Sequence, residues 1–274
     1  MKALLWILAC AFALAWGYHD LPASYFLRDD FMWLEDSRHQ LADPIQFVTT
    51  RPSGYFRPFA NIVFGLEYAF FGLQPRGFYV VNLLIHAWSV FWLAKLVRQF
   101  GGSLAMAGAS ALAAASLTAA APGVVWISGL VSLLGVAMVL PAVFFYRRFQ
   151  LRGEWGAYVL ALVFTLCAVG SRESGVLAGV GILCLEGLRI GELRGARPWA
   201  LGFVGRMAPF ALAAGAYLWV QWEFVTSGAG ARGASGSPLA YVLNVITSVP
   251  AMLRAEEWRR WFSLGAGAPG LMVW

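Results

Sequence analysis

Asp29 and Asp30 stand side by side in a polar stretch of an otherwise apolar chain, and Arg57-Pro58 follows in the same stretch. Two adjacent carboxylates raise each other's pKa, so that one can accept a proton near neutral pH. The same pair can hold a divalent cation through its oxygens. A structural reading stands beside these. Asp30 precedes Phe31-Met32-Trp33-Leu34-Glu35 and suits a solvated turn or a helix N-cap. Arg57 presents a planar fork that fits phosphate oxygens, as does Arg76, and either also suits anchoring to lipid headgroups. Glu173, in Ser171-Arg172-Glu173-Ser174, lies at the mouth of two apolar runs. There it either joins a site or closes a salt bridge with Arg172.

Other polar residues carry weaker signals. Asn82 and His86 are four apart and share one face of a helix. Interhelical hydrogen bonding accounts for them better than catalysis, because no second His stands at metal-ligand spacing. Cys10, Cys167 and Cys184 all fall inside apolar runs and read as packing residues, not as a disulfide framework or a metal site. No P-loop, zinc-ligand pattern or G-x-S-x-G element is present, so the sequence offers no motif for ATP-driven pumping or triad hydrolysis.

The elements that must position these groups are membrane helices. The chain of 274 residues is 60% hydrophobic and only 12% charged, against about 25% charged in an average soluble domain. Apolar runs of about 18 residues or more read as spans. The expected fold class is all-α, a polytopic membrane bundle of about seven transmembrane helices. Its spans are Ala3–Gly17, Gly77–Val97, Leu104–Ala121, Val124–Tyr146, Tyr158–Gly170, Gly175–Ile190 and Trp199–Trp222. The first run also suits a signal peptide, but Trp16-Gly17-Tyr18-His19 offers no clear cleavage site, which favours an uncleaved helix. Spans three and four are expected to form a tight hairpin about Pro122-Gly123.

Two further segments are expected to lie along the membrane. In the loop 18–76, Phe59, Ile62, Val63, Leu66 and Phe70 recur at helical spacing and predict an interfacial helix with Asn61, Glu67 and Tyr68 on its wet side. The transmembrane domain covers 1–226. Residues 227–274 form a Gly/Ser/Ala-rich linker and an amphipathic segment with Trp258, Arg259, Arg260 and Trp261.

Orientation follows from the short loops. Lys95, Arg98, Arg147, Arg148, Arg152, Arg194 and Arg197 follow spans two, four and six, whereas the loops after spans three and five carry only Arg172. The positive-inside rule puts the first set in the cytoplasm and the 18–76 loop outside. Of the fourteen acidic residues, only Glu154, Glu186 and Glu192 then fall inside. The net charge of +6 sits at helix ends and not on one face, so nucleic acid is a poor partner.

Taken together, these pieces resemble the multi-spanning glycosyltransferases of the GT-C fold, in particular the protein O-mannosyltransferase-like branch and its bacterial relatives. The resemblance runs over about residues 25–190. It rests on Asp29-Asp30, on Arg57-Pro58-Phe59 leading into Leu66-Glu-Tyr68 and Pro75-Arg-Gly77-Phe, on Val81-Asn82-Leu-Leu-Ile-His86, on Trp126-Ile-Ser-Gly129 and on Ser171-Arg-Glu173. Where relatives carry a His- and Glu-containing motif before Trp126, this chain reads Thr118-Ala-Ala-Ala-Pro122-Gly-Val-Val.

The resemblance implies a sugar donor on a polyprenyl phosphate, with no nucleotide sugar and no certain cofactor. It implies an acceptor hydroxyl on a glycan or protein, and transfer on the outer face of what would be a bacterial inner membrane. It assigns the base to Asp30 or Asp29, any metal to the same pair, and substrate binding to Arg57, Glu173, Arg172 and Arg76. Against this resemblance the chain is short, as expected of a truncated or degenerate member or of one whose second half another chain supplies; the alternatives are a non-catalytic GT-C-like scaffold or lipid-handling subunit, and a transporter. A transporter should place ionisable residues near mid-membrane, where this chain has only His86.

Overall fold

The computed structural model describes residues 2–19, 25–27, 29–49, 55–116, 121–192 and 199–226. Arg28, the linker and the amphipathic segment expected beyond residue 226 lie outside them. Among the described residues every regular element is helical. In chain order they are α1 (Lys2–Gly17), α2 (Asp29–Ala42), α3 (Gln46–Thr49), α4 (Pro58–Phe71), α5 (Pro75–Gln99), α6 (Leu104–Ser116) and α7 (Ala121–Val125). A 3-10 turn, Ile127–Gly129, leads into α8 (Leu130–Arg152), followed by α9 (Trp155–Val169). A second 3-10 turn, Glu173–Val176, leads into α10 (Leu177–Glu192), and α11 (Trp199–Thr226) comes last.

Local chemistry sets several boundaries. Pro58 and Pro75 open α4 and α5 in the first turn, where the missing N–H costs nothing. Gly72 closes α4 at φ 56°, a left-handed backbone that favours glycine, and its N–H donates to the Tyr68 carbonyl at 2.8 Å. Gly153 closes α8 in the same way at φ 70°.

Each expected span overlaps a described helix, though the fourth, Val124–Tyr146, also takes in the end of α7 and the 3-10 turn. Three of these are long and apolar enough to cross a membrane: Pro75–Gln99, Ile127–Arg152 and Gly202–Trp222. Helices α1, α6, α9 and α10 have 16, 13, 15 and 16 residues. Helix α9, both of whose ends are described, rises only roughly 22 Å, against an apolar bilayer core of about 30 Å.

Helix α8 is the hub. It packs on α5, α9 and α10, while α11 lies on α9 and α10, and α1 and α6 pack together beside α5. One core cluster joins Trp33, Phe64, Phe78, Ile127 and Leu130, so it binds α2, α4 and α5 to the start of α8. A second, at the other end of α8, joins Tyr146, Phe149, Tyr158, Ile182 and Phe210.

The structure corrects two expectations. Pro122 and Gly123 do not form a tight turn between the third and fourth spans: both lie within α7, and α8 begins only after the 3-10 turn. Nor do Asn61 and Glu67 face water, for both are buried, Glu67 to 4% exposure. The reason is tertiary. Helices α2 and α3 fold back over that side of α4, and the Asn61 amide donates to the Phe47 carbonyl at 3.0 Å. The exposed stripe of α4 is the apolar one, Ile62, Leu66 and Phe70.

Candidate functional site

The two adjacent aspartates occupy different environments. Both lie in the first turn of α2. Asp30 is fully buried: its Oδ2 accepts the Leu27 N–H and its Oδ1 accepts the Ser128 N–H, each at 2.8 Å. It therefore reaches back over the start of its own helix and across to the 3-10 turn before α8. Burial raises its pKa, and the Asp29 charge adds to this. The hydrogen bonds from Leu27 and Ser128 act the other way. Asp29 is half-buried, and no hydrogen bond to its carboxylate is found among the described residues.

One helical turn beyond Ser128, Ser132 on α8 receives a hydrogen bond from Nη1 of Arg172. The start of α8 is thus held by Asp30 at Ser128 and by Arg172 at Ser132. Ser128 belongs to Trp126-Ile-Ser-Gly129, and its hydrogen-bonding position follows from the 3-10 turn. Asn82 supports that turn from α5, donating to the carbonyls of Gly123, Trp126 and Ile127 at 3.4, 3.3 and 3.4 Å. His86 makes no such bond. Its ring meets Tyr18 edge-on at 6.1 Å, and its Nε2 is buried without a partner.

Glu173 pairs across the fold with Arg57 and not with its neighbour Arg172. Nη2 of Arg57 donates to both carboxylate oxygens at 3.2 Å, and both side chains are only 12% exposed. The expected local salt bridge fails because the second 3-10 turn aims Arg172 toward Ser132. Burial lowers the pKa of Arg172, and the nearby Arg57 cation lowers it further, while Glu173 opposes. Arg172 thus lies close enough to feel both the Arg57 cation and the Glu173 carboxylate while bonding to Ser132. Arg57 is incompletely used as well, since its Nε is buried without a partner. The Tyr55 ring lies 4.3 Å from the Arg57 guanidinium carbon.

Backbone contacts set the Arg57 side of the site. The N–H groups of Phe59 and Ala60 both reach the Gly170 carbonyl, at 2.9 and 3.4 Å, joining the start of α4 to the end of α9. A Cβ on Gly170 would stand 3.2 Å from the Phe59 Cβ and 3.1 Å from the Leu166 carbonyl, so this approach suits glycine. Arg76 lies exposed in the first turn of α5. The structure brings Arg57, Arg172 and Glu173 together, and it ties the Asp pair to the same end of α8.

Sequence reasoning missed Ser132, Gln221, Tyr217 and Tyr55. Gln221 on α11 is fully buried and donates to Glu173 Oε1 at 3.4 Å. An isolated amide inside an apolar helix was a visible signal for it. Among the described residues, no group of three or more His, Cys, Asp or Glu side chains is placed to hold a metal ion. Asp29 is the member of the Asp pair whose oxygens are not taken by backbone N–H groups.

Comparison with known proteins shows similarity to Protein O-mannosyl-transferase Tmtc1 of Drosophila melanogaster, 29% identical over 160 residues. Those residues are 57% of this chain and 17% of that protein, so the match spans less than a fifth of the relative's length. No family model matches the chain, and no solved structure matches it. The chain, whose described residues hold three helices long and apolar enough to cross a membrane, is thus distantly similar to part of that protein.

Proposed function

We propose that this protein transfers a sugar from a polyprenyl-phosphate donor to an acceptor hydroxyl at the external face of a membrane, taken to be a bacterial cell membrane. The observation that carries the reading is the shared anchoring at the start of α8. Asp30 and Arg172 bond Ser128 and Ser132, one turn apart, and each has a neighbour that could act there, Asp29 beside the first and Arg57 close to the second. Seven spans, with the 18–76 loop outside, would put this end of α8 at the outer leaflet, where lipid phosphate and polar acceptor meet. Helix α9 would cross where the bilayer is thinner or locally adapted.

In this reading Asp29 is the base. It takes the proton of the acceptor hydroxyl as that oxygen bonds to the anomeric carbon and the bond from carbon to phosphate oxygen breaks. Asp30 holds the start of α2 in place, because both its oxygens are occupied. Arg57 and Arg172 stabilise the departing phosphate, whose negative charge grows in the transition state. Glu173 keeps Arg57 oriented, and Arg76 meets the headgroup region. A divalent cation, where one is needed, would rest on Asp29 and phosphate oxygens.

The test is incubation of the purified full chain with a panel of polyprenyl-phosphate sugars and hydroxyl acceptors, reading product by mass spectrometry. Turnover lost in Asp29→Asn supports the assignment. A wild type that binds polyprenyl phosphate but transfers nothing with any donor would instead favour a non-catalytic lipid-handling subunit on the same scaffold.

A further inference from the structure

Gln221 closes a circuit that the proposed chemistry does not use directly. It is fully buried on α11, 48 residues from the carboxylate it touches. Its Oε1 accepts the N–H of Phe56 at 3.0 Å, while its Nε2 donates to Glu173. One turn earlier, the Tyr217 hydroxyl donates to the Phe56 carbonyl at 3.0 Å. Helix α11 therefore grips both backbone groups of the residue next to Arg57 and also the carboxylate to which Arg57 is paired.

The direction of the amide is fixed by chemistry. Phe56 offers a donor, so the oxygen of Gln221 must face it, and the nitrogen is left for Glu173. Glu173 accepts from the Arg57 guanidinium and from this amide, and its charge also acts on the nearby Arg172. Without the amide, its carboxylate is free to rotate within a crowded cationic pocket, and Nη2 of Arg57 rotates with it. A buried carboxylate with fewer donors also pulls harder on Arg172, which now serves Ser132.

We propose that Gln221 is a positioning residue for the anion site: by fixing Glu173 it sets the orientation of the Arg57 guanidinium toward a lipid phosphate. This rests on the phosphate reading above and adds α11 to the site as the element that orients it.

The discriminating variant is Gln221→Glu, which keeps size and shape. Ionised, it still accepts from Phe56 but repels Glu173. Protonated, it regains a donor. The charged and titratable groups around it are Glu173 and Arg172 from the α9–α10 junction, Tyr55 and Arg57 from the segment before α4, and Tyr217 on its own helix. Binding of a fluorescent polyprenyl monophosphate to the full chain in zwitterionic micelles is measured at about pH 8 and about pH 5.5, which bracket the range in which a carboxyl beside another carboxyl titrates. Each variant is read as a ratio to wild type at the same pH, together with its melting temperature. Losing a hydrogen bond to a charged group predicts about ten-fold weaker binding at the higher pH. Most of that loss is recovered at the lower pH, and Gln221→Met stays weak at both. Equal binding by Gln221→Glu and wild type at both pH values would overturn the role. So would an equal loss at both, which is the signature of a merely structural residue. A wild type that fails to bind the phosphate probe would overturn the phosphate reading itself, and is told apart because no variant is then needed to see it.

Discussion

Oδ1 of Asp30 accepts the backbone N–H of Ser128 at 2.8 Å, joining two segments 98 residues apart through a carboxylate with no solvent exposure. Its neighbour Asp29 makes no such bond and stays half-buried. Adjacent residues of one type thus differ: one fixes the backbone, and the other keeps its carboxylate clear of backbone N–H groups among the described residues.

The two asparagine variants should therefore behave differently. Asp30→Asn replaces one acceptor oxygen by a donor and leaves either Leu27 or Ser128 with an unsatisfied N–H, costing about 1–3 kcal/mol. Asp29→Asn should leave the melting temperature within a degree or two and, if Asp29 is the base, lower transfer by about 10²–10⁴-fold. Thermal melting and transfer assays on the same preparations check both. Unchanged turnover in Asp29→Asn would return the base to another group.

Removing Arg57 alone should be worse than removing the pair. Arg57→Met strands Glu173 in a pocket where it is only 12% exposed, and breaking one partner of a buried pair costs about 3–5 kcal/mol. Adding Glu173→Gln removes the stranded charge, so the double variant should recover part of the loss. A melting-temperature cycle over the four proteins measures this coupling.

Glu67 gives a pH dependence of known sign. It is buried on α4, neither oxygen has a hydrogen-bond partner among the described residues, and burial raises its pKa well above the ordinary glutamate value. A raised folded-state pKa means the folded chain binds the proton more tightly than the unfolded one. Its contribution is then complete below the ordinary glutamate value and is lost as pH rises through the elevated one. Stability should fall with increasing pH over that window, and Glu67→Gln should flatten the fall. Parallel slopes for wild type and variant would show that other groups set the pH response.

At the opposite end of α8, Glu186 is fully buried and accepts from Tyr146 at 2.8 Å, Gln150 at 2.9 Å and Arg206 at 2.8 Å. It ties α8, α10 and α11 together away from the candidate site. Glu186→Ala should destabilise the bundle by about 3–5 kcal/mol through the unpaired Arg206. Lipid-phosphate binding, measured below the melting transition, should change little.

The proposed orientation is open to labelling. With Cys10, Cys167 and Cys184 replaced, single cysteines at the exposed positions Arg38 and Arg152 should react with an impermeant thiol reagent from opposite sides of the membrane. Reaction of both from the same side would overturn the topology.

The sequence by itself determined the helical class and the residues worth attention, because both are local or compositional. Apolar runs and periodicity located α4, α5 and most of α8, and rare charges in an apolar chain marked Asp29, Asp30, Arg57, Arg172 and Glu173. Periodicity found both faces of α4 but gave Asn61 and Glu67 to water, since a period cannot tell solvent from a helix folded back over it. Only the tertiary structure decided the pairings. Glu173 chose Arg57 over the adjacent Arg172 because the 3-10 turn aims neighbouring side chains apart, and Gln221 reached Glu173 because α11 packs beside α9 and α10. Asp30 became a buried anchor because the turn before α8 brings the Ser128 N–H within reach, a geometry set by contacts far apart in the chain that no spacing along it encodes.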